Sequence, residues 1–360
     1  PIIARFRNAN IPIIGDVELL FRACPEATFV GITGTNGKST TTALIGHILK
    51  SAGRVVEIGG NLGTPVLSFK PLGKGQIYVL ELSSYQLELI QQNPISVAVL
   101  LNVTPDHLGR HGGMDGYITA KARIFNLTTA PQTLVIGTGE PETRALYATA
   151  KKQKNLDVQR IEESGLEKII DPVALPSLPG AHNWQNASAA FWACKTLGIT
   201  TQDIINGLKI FPGLAHRQQL VATINGVRFI NDSKATNADA TSKALGCYVD
   251  IYWIIGGRPK EGGLNGLEPF TPRIRHAFII GEASDDFAAW CARNKVAHTS
   301  CGTLDIATRA AADHAFRDKI SNAVVLLSPA CASWDQFKNF EERGDVFAKL
   351  VAILSPHPTF

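Results

Sequence analysis

Short apolar runs alternate with helix-length amphipathic segments along most of the chain. Residues 27–33 read as a buried strand, followed by a Gly-rich turn and a helix over about 39–51. Residues 77–82 and 97–103 are the next strands, 117–127 a helix and 134–137 a strand. The Pro-rich stretch DPVALPSLPG, residues 171–180, is a loop before a helix that starts near Asn183. Strands interleaved with helices predict an α/β fold on a parallel or mostly parallel sheet.

The pattern breaks at FPGLAHR, residues 211–217, where Pro and Gly interrupt the periodicity. Beyond it, the runs 220–224 and 227–231 flank Asn225-Gly226, a strong hairpin signal. A second α/β pattern follows, with strands near 251–255, 277–280 and 324–327 and helices between them. Two domains are therefore expected, over 18–213 and 214–360, with residues 1–17 as the tail of something upstream.

Composition agrees with this and removes other classes. At roughly 150 residues per domain, 360 residues suggest two. A hydrophobic fraction of 45% with a net charge of only +4 excludes disorder as the main state. No Lys/Arg run marks a nucleic-acid arm, and no apolar stretch approaches the roughly 18 residues of a membrane span. The start lacks both a signal-peptide core and a Met, which reads as a fragment or a processed chain. Six Cys form no CxxC pair, which argues against structural zinc and fits thiols in a reducing cytosol.

The candidate chemistry sits at strand ends. GTNGKST, from Gly34 to Thr40, joins a strand to a helix. Glycines let backbone N–H groups turn inward, a helix N-terminus adds partial positive charge, and Lys38 adds a full one. Thr35 and Asn36 complete the loop, and Ser39 or Thr40 would offer a hydroxyl to Mg²⁺. The spacing is G-x-x-G-K-[ST], shorter than the usual phosphate loop, and a plain Gly-rich turn is the alternative. Glu81 closes a strand as a possible ligand for a hard cation, although alone it reads as a surface charge. Asp106, His107 and His111 follow another buried strand, where His107 suits a metal, a phosphate or a structural role equally. Asn61, in GGNLG, could orient a carboxylate or phosphate, or simply make a turn. The pattern around Lys121 makes it a solvated helix lysine.

Three strand ends in the second half carry a further constellation. INDSKATN brings Asp232, Lys234 and Thr236; GGRPKEGG brings Arg258 and Lys260; SPACASWDQFKNFEERG brings Ser328, Ser333, Lys338 and Phe340. Each could be a turn, but together they point to an anionic ligand at one sheet edge.

In order along the chain, GTNGKST, GGNLG, ELSSYQLE, NVTPDH, AKARI, HNWQNA, His216-Arg217, NDSKATN and SPACASWDQFKNFE resemble the Mur ligase family, from about Ile14 to the end. NDSKATN and SPACAS are particular to the members that add D-glutamate. The resemblance implies a mostly parallel-sheet, P-loop ATPase-like central domain and a smaller Rossmann-like C-terminal domain. It also implies ATP-dependent amide formation between UDP-N-acetylmuramoyl-L-alanine and D-glutamate through an acyl phosphate, in cytoplasmic peptidoglycan synthesis. Gly34, Thr35, Asn36, Gly37 and Lys38 would hold phosphates; Ser39, or Thr40, and Glu81 would bind one Mg²⁺. His107 and a carbamylated Lys121 would bind a second. Asn183, Arg217 and Asp232 would contact the nucleotide, and Asn61 and Ser83 the acceptor. Lys234, Thr236, Lys260, Ser333 and Phe340 would surround D-glutamate or the γ-phosphate. A monomer is expected.

The sequence departs from the family pattern in three places. A full UDP-binding domain is missing ahead of residue 18, the loop after Gly256 reads GGRPKEGG, and Gly109 stands where an acidic residue is common. A truncated, non-catalytic ATP-binding module and another amide ligase of the same superfamily are the competing readings.

Overall fold

A computed structural model describes residues 5–6, 8–61, 63–126, 131–175, 177–260 and 262–354, with Asn126 described in its backbone alone. Residues 1–4 and 7 of the expected upstream tail, and Leu127 of the expected helix, lie outside the described residues. The chain divides into two compact units, Pro1–Phe211 and Pro212–Phe360.

The first unit is built on a six-stranded sheet ordered β2-β3-β1-β4-β5-β6. Its strands are β1 (Thr28–Thr33), β2 (Val56–Gly60), β3 (Ile77–Glu81), β4 (Ile95–Leu100), β5 (Gln132–Ile136) and β6 (Leu156–Arg160). Every pairing is parallel, as the interleaved pattern predicts. Apolar side chains of β1 serve both faces. Val30 and Ile32 join one core with Ile45 and Ile48 of α2 (Lys38–Ser51) and Ala187 and Ala190 of α7 (Ala181–Thr196). Phe29 joins the other core with Phe21 of α1 (Asp16–Ala23) and Ile124 of α5 (Met114–Asn126). A parallel sheet covered on both faces needs such unbroken apolar strands. It also puts all six strand C-termini on one edge, where ligands bind in α/β folds.

The second unit has a six-stranded sheet ordered β11-β10-β9-β12-β8-β7. It comprises β7 (Gln219–Ile224), β8 (Val227–Asn231), β9 (Ile251–Gly256), β10 (Ile274–Ile280), β11 (His298–Gly302) and β12 (Val324–Leu327). Only the β7–β8 hairpin is antiparallel, turning at Asn225 (φ +51°) and Gly226 (φ +78°). The expected α/β class and mostly parallel sheets are therefore observed. Strands β6 and β11 were not apparent from the pattern. Both are sheet edges and only partly buried, so they lack the continuous apolar run that marks an interior strand. Among the described residues, no helix is long and apolar enough to cross a membrane.

Candidate active site

The loop after β1 is shaped by its glycines. Gly37 caps α2 at φ +85°, a conformation that favours glycine. A Cβ there would also collide with Oδ1 of Asn186 on α7. The loop is moored from outside by Asn102, just beyond β4. Asn102 Oδ1 accepts from Thr35 N (3.1 Å) and Asn36 N (2.8 Å), while its Nδ2 donates to Asn36 O (3.1 Å). Thr35 Oγ1 donates to Thr104 O (3.1 Å) and accepts from Thr104 N (3.0 Å). These tethers end β4 at Leu100, short of the expected residue 103. The chain leaves the sheet there to hold the loop.

Two lysines converge on this loop. Lys38 Nζ donates to Gly34 O (2.9 Å) and Thr35 O (2.8 Å), and Lys121 Nζ donates to the same Gly34 O (2.8 Å). Lys121 corrects the reading of a solvated helix lysine. It is 1% exposed, turned inward from α5, with Nζ 4.6 Å from the Tyr117 ring centroid. Burial, reinforced by repulsion from Lys38, lowers its pKa to about 7. Helical periodicity could not show this, because what buries Lys121 is the loop 87 residues earlier.

A cavity of about 290 Å³ opens at these strand ends. Lys38, Asn61, Ser83, Asp106, His107 and Lys121 line it together with Ser84, Tyr85 and Tyr117. Glu81 lies beneath, 3% exposed. Its Oε1 accepts from Asn61 Nδ2 (3.1 Å), whereas its Oε2 is buried without a hydrogen-bond partner. An orphaned carboxylate oxygen beside a phosphate loop fits a hard cation. The neighbouring Ser39 and Thr40, each 7% exposed, add oxygen donors of the same kind. Among the described residues no group of three or more His, Cys, Asp or Glu side chains gathers. A cation here would draw on phosphate and water oxygens as well. His107 sits at φ +52°, its Nε2 3.5 Å from Asp106 Oδ2 and its ring against Tyr85.

Other residues are already occupied by local structure. Ser83 caps the short helix α3 (Ser84–Glu88) in a reciprocal pair with Gln86. Asn183 accepts from Asn186 Nδ2 (3.1 Å) and donates to Pro179 O (2.9 Å). His111, noted in the sequence without a role, bridges Ser84 Oγ (3.0 Å) and Glu88 Oε1 (3.1 Å). Gly109 faces open space, so nothing there excludes the side chain that the family pattern usually carries.

In the second unit, the strand-end loops meet one another. Lys260 Nζ donates to Thr236 Oγ1 (3.2 Å), and Lys234 Nζ lies 5.2 Å from the Phe340 ring centroid. Ser333 is buried, and its carbonyl accepts from Phe337 N (2.8 Å) to open the turn that leads toward Phe340. Arg258 pairs with Glu282 at 3.1 Å; Glu261, from the same loop, lies outside the described residues. Asp232 is 5% exposed and accepts from Gln218 N (3.1 Å) and Ser328 Oγ (2.8 Å). Burial pushes its carboxyl up to about 7 against the opposing pull of these bonds and of Arg217. Three residues were missed by sequence reasoning: Asn102, Asn186 and the buried Arg343. Asn102 and Asn186 stood inside recognised motifs, but their partners are distant loops, and a single sequence holds no signal for that.

Comparison with known proteins places these features. The description "Mur ligase middle domain" matches residues 32–194. The chain is 50% identical to the UDP-N-acetylmuramoylalanine–D-glutamate ligase of Rhodospirillum rubrum, over 99% of this chain and 78% of that protein. It is likewise 50% identical to the ligase of the same name from Paramagnetospirillum magneticum, over 98% and 80%. Among solved structures, MurF from Acinetobacter baumannii is similar in fold, with TM-score 0.66, 21% identity, and 91% and 77% of the two chains covered. MurC from Thermotoga maritima is similar too, with TM-score 0.64, 18% identity, and 99% and 83% covered.

Proposed function

The chain belongs to the Mur ligase family, and from that premise we propose that it joins D-glutamate to UDP-N-acetylmuramoyl-L-alanine at the expense of ATP, supplying peptidoglycan synthesis. The observation that carries the reading is the cavity where Lys38 and Lys121 meet on one carbonyl above a partnerless Glu81 oxygen. Half-identity to two ligases of that name, along nearly the whole chain, supports the choice of substrates.

The reaction divides into two displacements. The acceptor carboxylate attacks the γ-phosphorus of ATP, giving an acyl phosphate and ADP. The D-glutamate amine then attacks the acyl carbon, and inorganic phosphate leaves from the tetrahedral intermediate. Neither displacement needs covalent help from the chain, so its task is positioning and charge neutralisation. The amides of residues 34–37 and the N-terminus of α2 receive the phosphates, and Lys38 exchanges its carbonyl partners for phosphate oxygens. Asn61 and Ser83 orient the acceptor. In the second unit, Lys234, Thr236, Lys260, Ser333 and Phe340 receive D-glutamate or the γ-phosphate; Asn183 in the first unit and Arg217 and Asp232 in the second are nucleotide contacts. The domains would then run over 18–213 for ATP and 214–360 for the amino acid, acting as a cytoplasmic monomer.

Ser39, or Thr40, and Glu81 would hold one Mg²⁺, and His107 and Lys121 a second. Bound there, the metal would neutralise the phosphate oxygens. An ammonium is a poor metal ligand, but a lysine with a pKa near 7 is substantially neutral at physiological pH. Its lone pair can add to CO₂ with loss of one proton to solvent, leaving a carbamate anion. That change replaces a second positive charge beside Lys38 with a negative one.

The test is phosphate release from ATP with UDP-N-acetylmuramoyl-L-alanine and a panel of amino acids. Release that requires D-glutamate is expected. ATP binding without such release would make the chain a nucleotide-binding module, and release with another amino acid would make it a different ligase of the family.

A further inference from the structure

Arg343 is among the largest fully buried side chains, at 1% exposure. It sits in α12 (Phe340–Leu354), inside the stretch that drew attention to Phe340 but without a role there. Its Nε donates to Ser233 Oγ (2.9 Å), and its Nη2 to Ser233 O (2.8 Å) and Cys331 O (3.1 Å). Ser233 Oγ in turn donates to Phe340 O (2.8 Å). The guanidinium thus ties together the loop carrying Lys234 and Thr236, the loop carrying Ser333, and the first turn carrying Phe340. A fourth loop approaches it: a Cβ added to Gly257 would lie 3.3 Å from Nη1, three residues before Lys260.

The bonding is unusual for a buried cation. Among the described residues, every hydrogen bond from Arg343 goes to a neutral oxygen, and Nη1 is buried with no partner at all. A neutral side chain could bridge carbonyls without the desolvation cost of a charge. Burial lowers even this guanidinium to about 10, still charged at any physiological pH. Low-dielectric surroundings let a fixed charge act over a longer range than the hydrated ammonium groups of Lys234 and Lys260. Nη1 is not accessible, so whatever Arg343 does for a ligand it does through the loops and through its field.

We infer that Arg343 is a positioning residue that sets the four amino-acid-binding loops and, by a buried charge that no hydrogen-bonded carboxylate neutralises, selects an amino acid with a second carboxylate. This rests on the D-glutamate reading of the second unit. D-Glutamine is the matching probe, since it has nearly the same shape without the side-chain charge. The measurement is kcat/KM for D-glutamate relative to D-glutamine, in wild type, Arg343→Met, Arg343→Lys and Ser233→Ala.

Arg343→Met should lower the ratio about tenfold while KM for ATP stays unchanged. Arg343→Lys keeps the charge and loses the fork, so its ratio should stay within roughly threefold of wild type. Ser233→Ala should depress both substrates in parallel and leave the ratio alone. A purely structural arginine would move both substrates together in every variant, so an unchanged ratio in Arg343→Met overturns the inference. Should Arg343→Met fail to fold, Arg343→Gln, neutral but able to reach the carbonyls, takes its place: a tenfold fall in the ratio supports the role of charge, and an unchanged ratio refutes it. A wild type that turns over a neutral D-amino acid but not D-glutamate overturns the substrate reading instead.

Discussion

The two strand-end clusters, both assigned to anions in the proposed function, are built in opposite ways. In the first unit the polar groups are left wanting. Glu81 Oε2 has no partner, two lysines share one carbonyl, and all of this borders a cavity. In the second unit the interior is knotted. Asp232, Ser328, Ser233 and Arg343 bond one another or the backbone, and the lysines stand outward on loops that the knot supports. The first arrangement keeps electrostatic tension where phosphate chemistry would relieve it. The second hides its charge to fix geometry. A motif in the first unit therefore names groups that face the cavity themselves, whereas a motif in the second names groups that depend on an unseen frame.

Mutations can break this contrast, beginning with the most severe. Lys38→Ala should cut phosphate release about a thousandfold, with an unchanged circular-dichroism spectrum; retention of turnover would remove the loop from the reaction. Lys121→Ala should cost at least about a hundredfold, and bicarbonate should not restore it. Wild type kept free of CO₂ should lose activity, regain it with bicarbonate, and gain the mass of one CO₂ on native mass spectra. Identical bicarbonate responses in the two proteins would refute the carbamate.

Asn102→Ala should have a middling effect. It releases three hydrogen bonds from the phosphate loop, so KM for ATP should rise on the order of tenfold and stability should fall by about 1–3 kcal/mol. A raised KM for D-glutamate alone would contradict that role. The smallest effect sharpens the second side of the contrast. Asp232 holds its proton up to about pH 7 in the native state but sheds it near its ordinary value once unfolded. The native state thus binds more protons between about pH 4 and 7, and stability falls as pH rises through that window, levelling off above it. Asp232→Asn, neutral throughout, should flatten this part of the curve in thermal melts. An unchanged slope would mean that the carboxyl ionises freely in the fold.

The contrast also marks how far the sequence can be read. Interior strands such as β1 and β4 declare themselves, because burial on both faces demands continuous apolar residues. Edge strands β6 and β11 do not. The phosphate loop is visible because glycines, lysine and hydroxyls are adjacent in the chain. Lys121 is legible only through the family resemblance, because its inward turn depends on Gly34 O and Tyr117 and the helical pattern alone points it to solvent. Arg343 is hidden for the same reason: its partners lie 110 and 12 residues away, and a charged residue near a helix start ordinarily implies exposure.

The long tethers on the phosphate loop set an order of events in the life of the chain. Asn36 waits for Asn102, 66 residues downstream, and Gly34 waits for Lys121, 87 residues downstream. At about 5–20 residues per second of synthesis, the second interval lasts roughly 4–17 s. Through that time the nascent loop has its glycines and its lysine but not its moorings. Nucleotide capture is thus a late acquisition on the ribosome, and ATP affinity reports that the chain has passed Lys121, with strands β5 and β6 still to come.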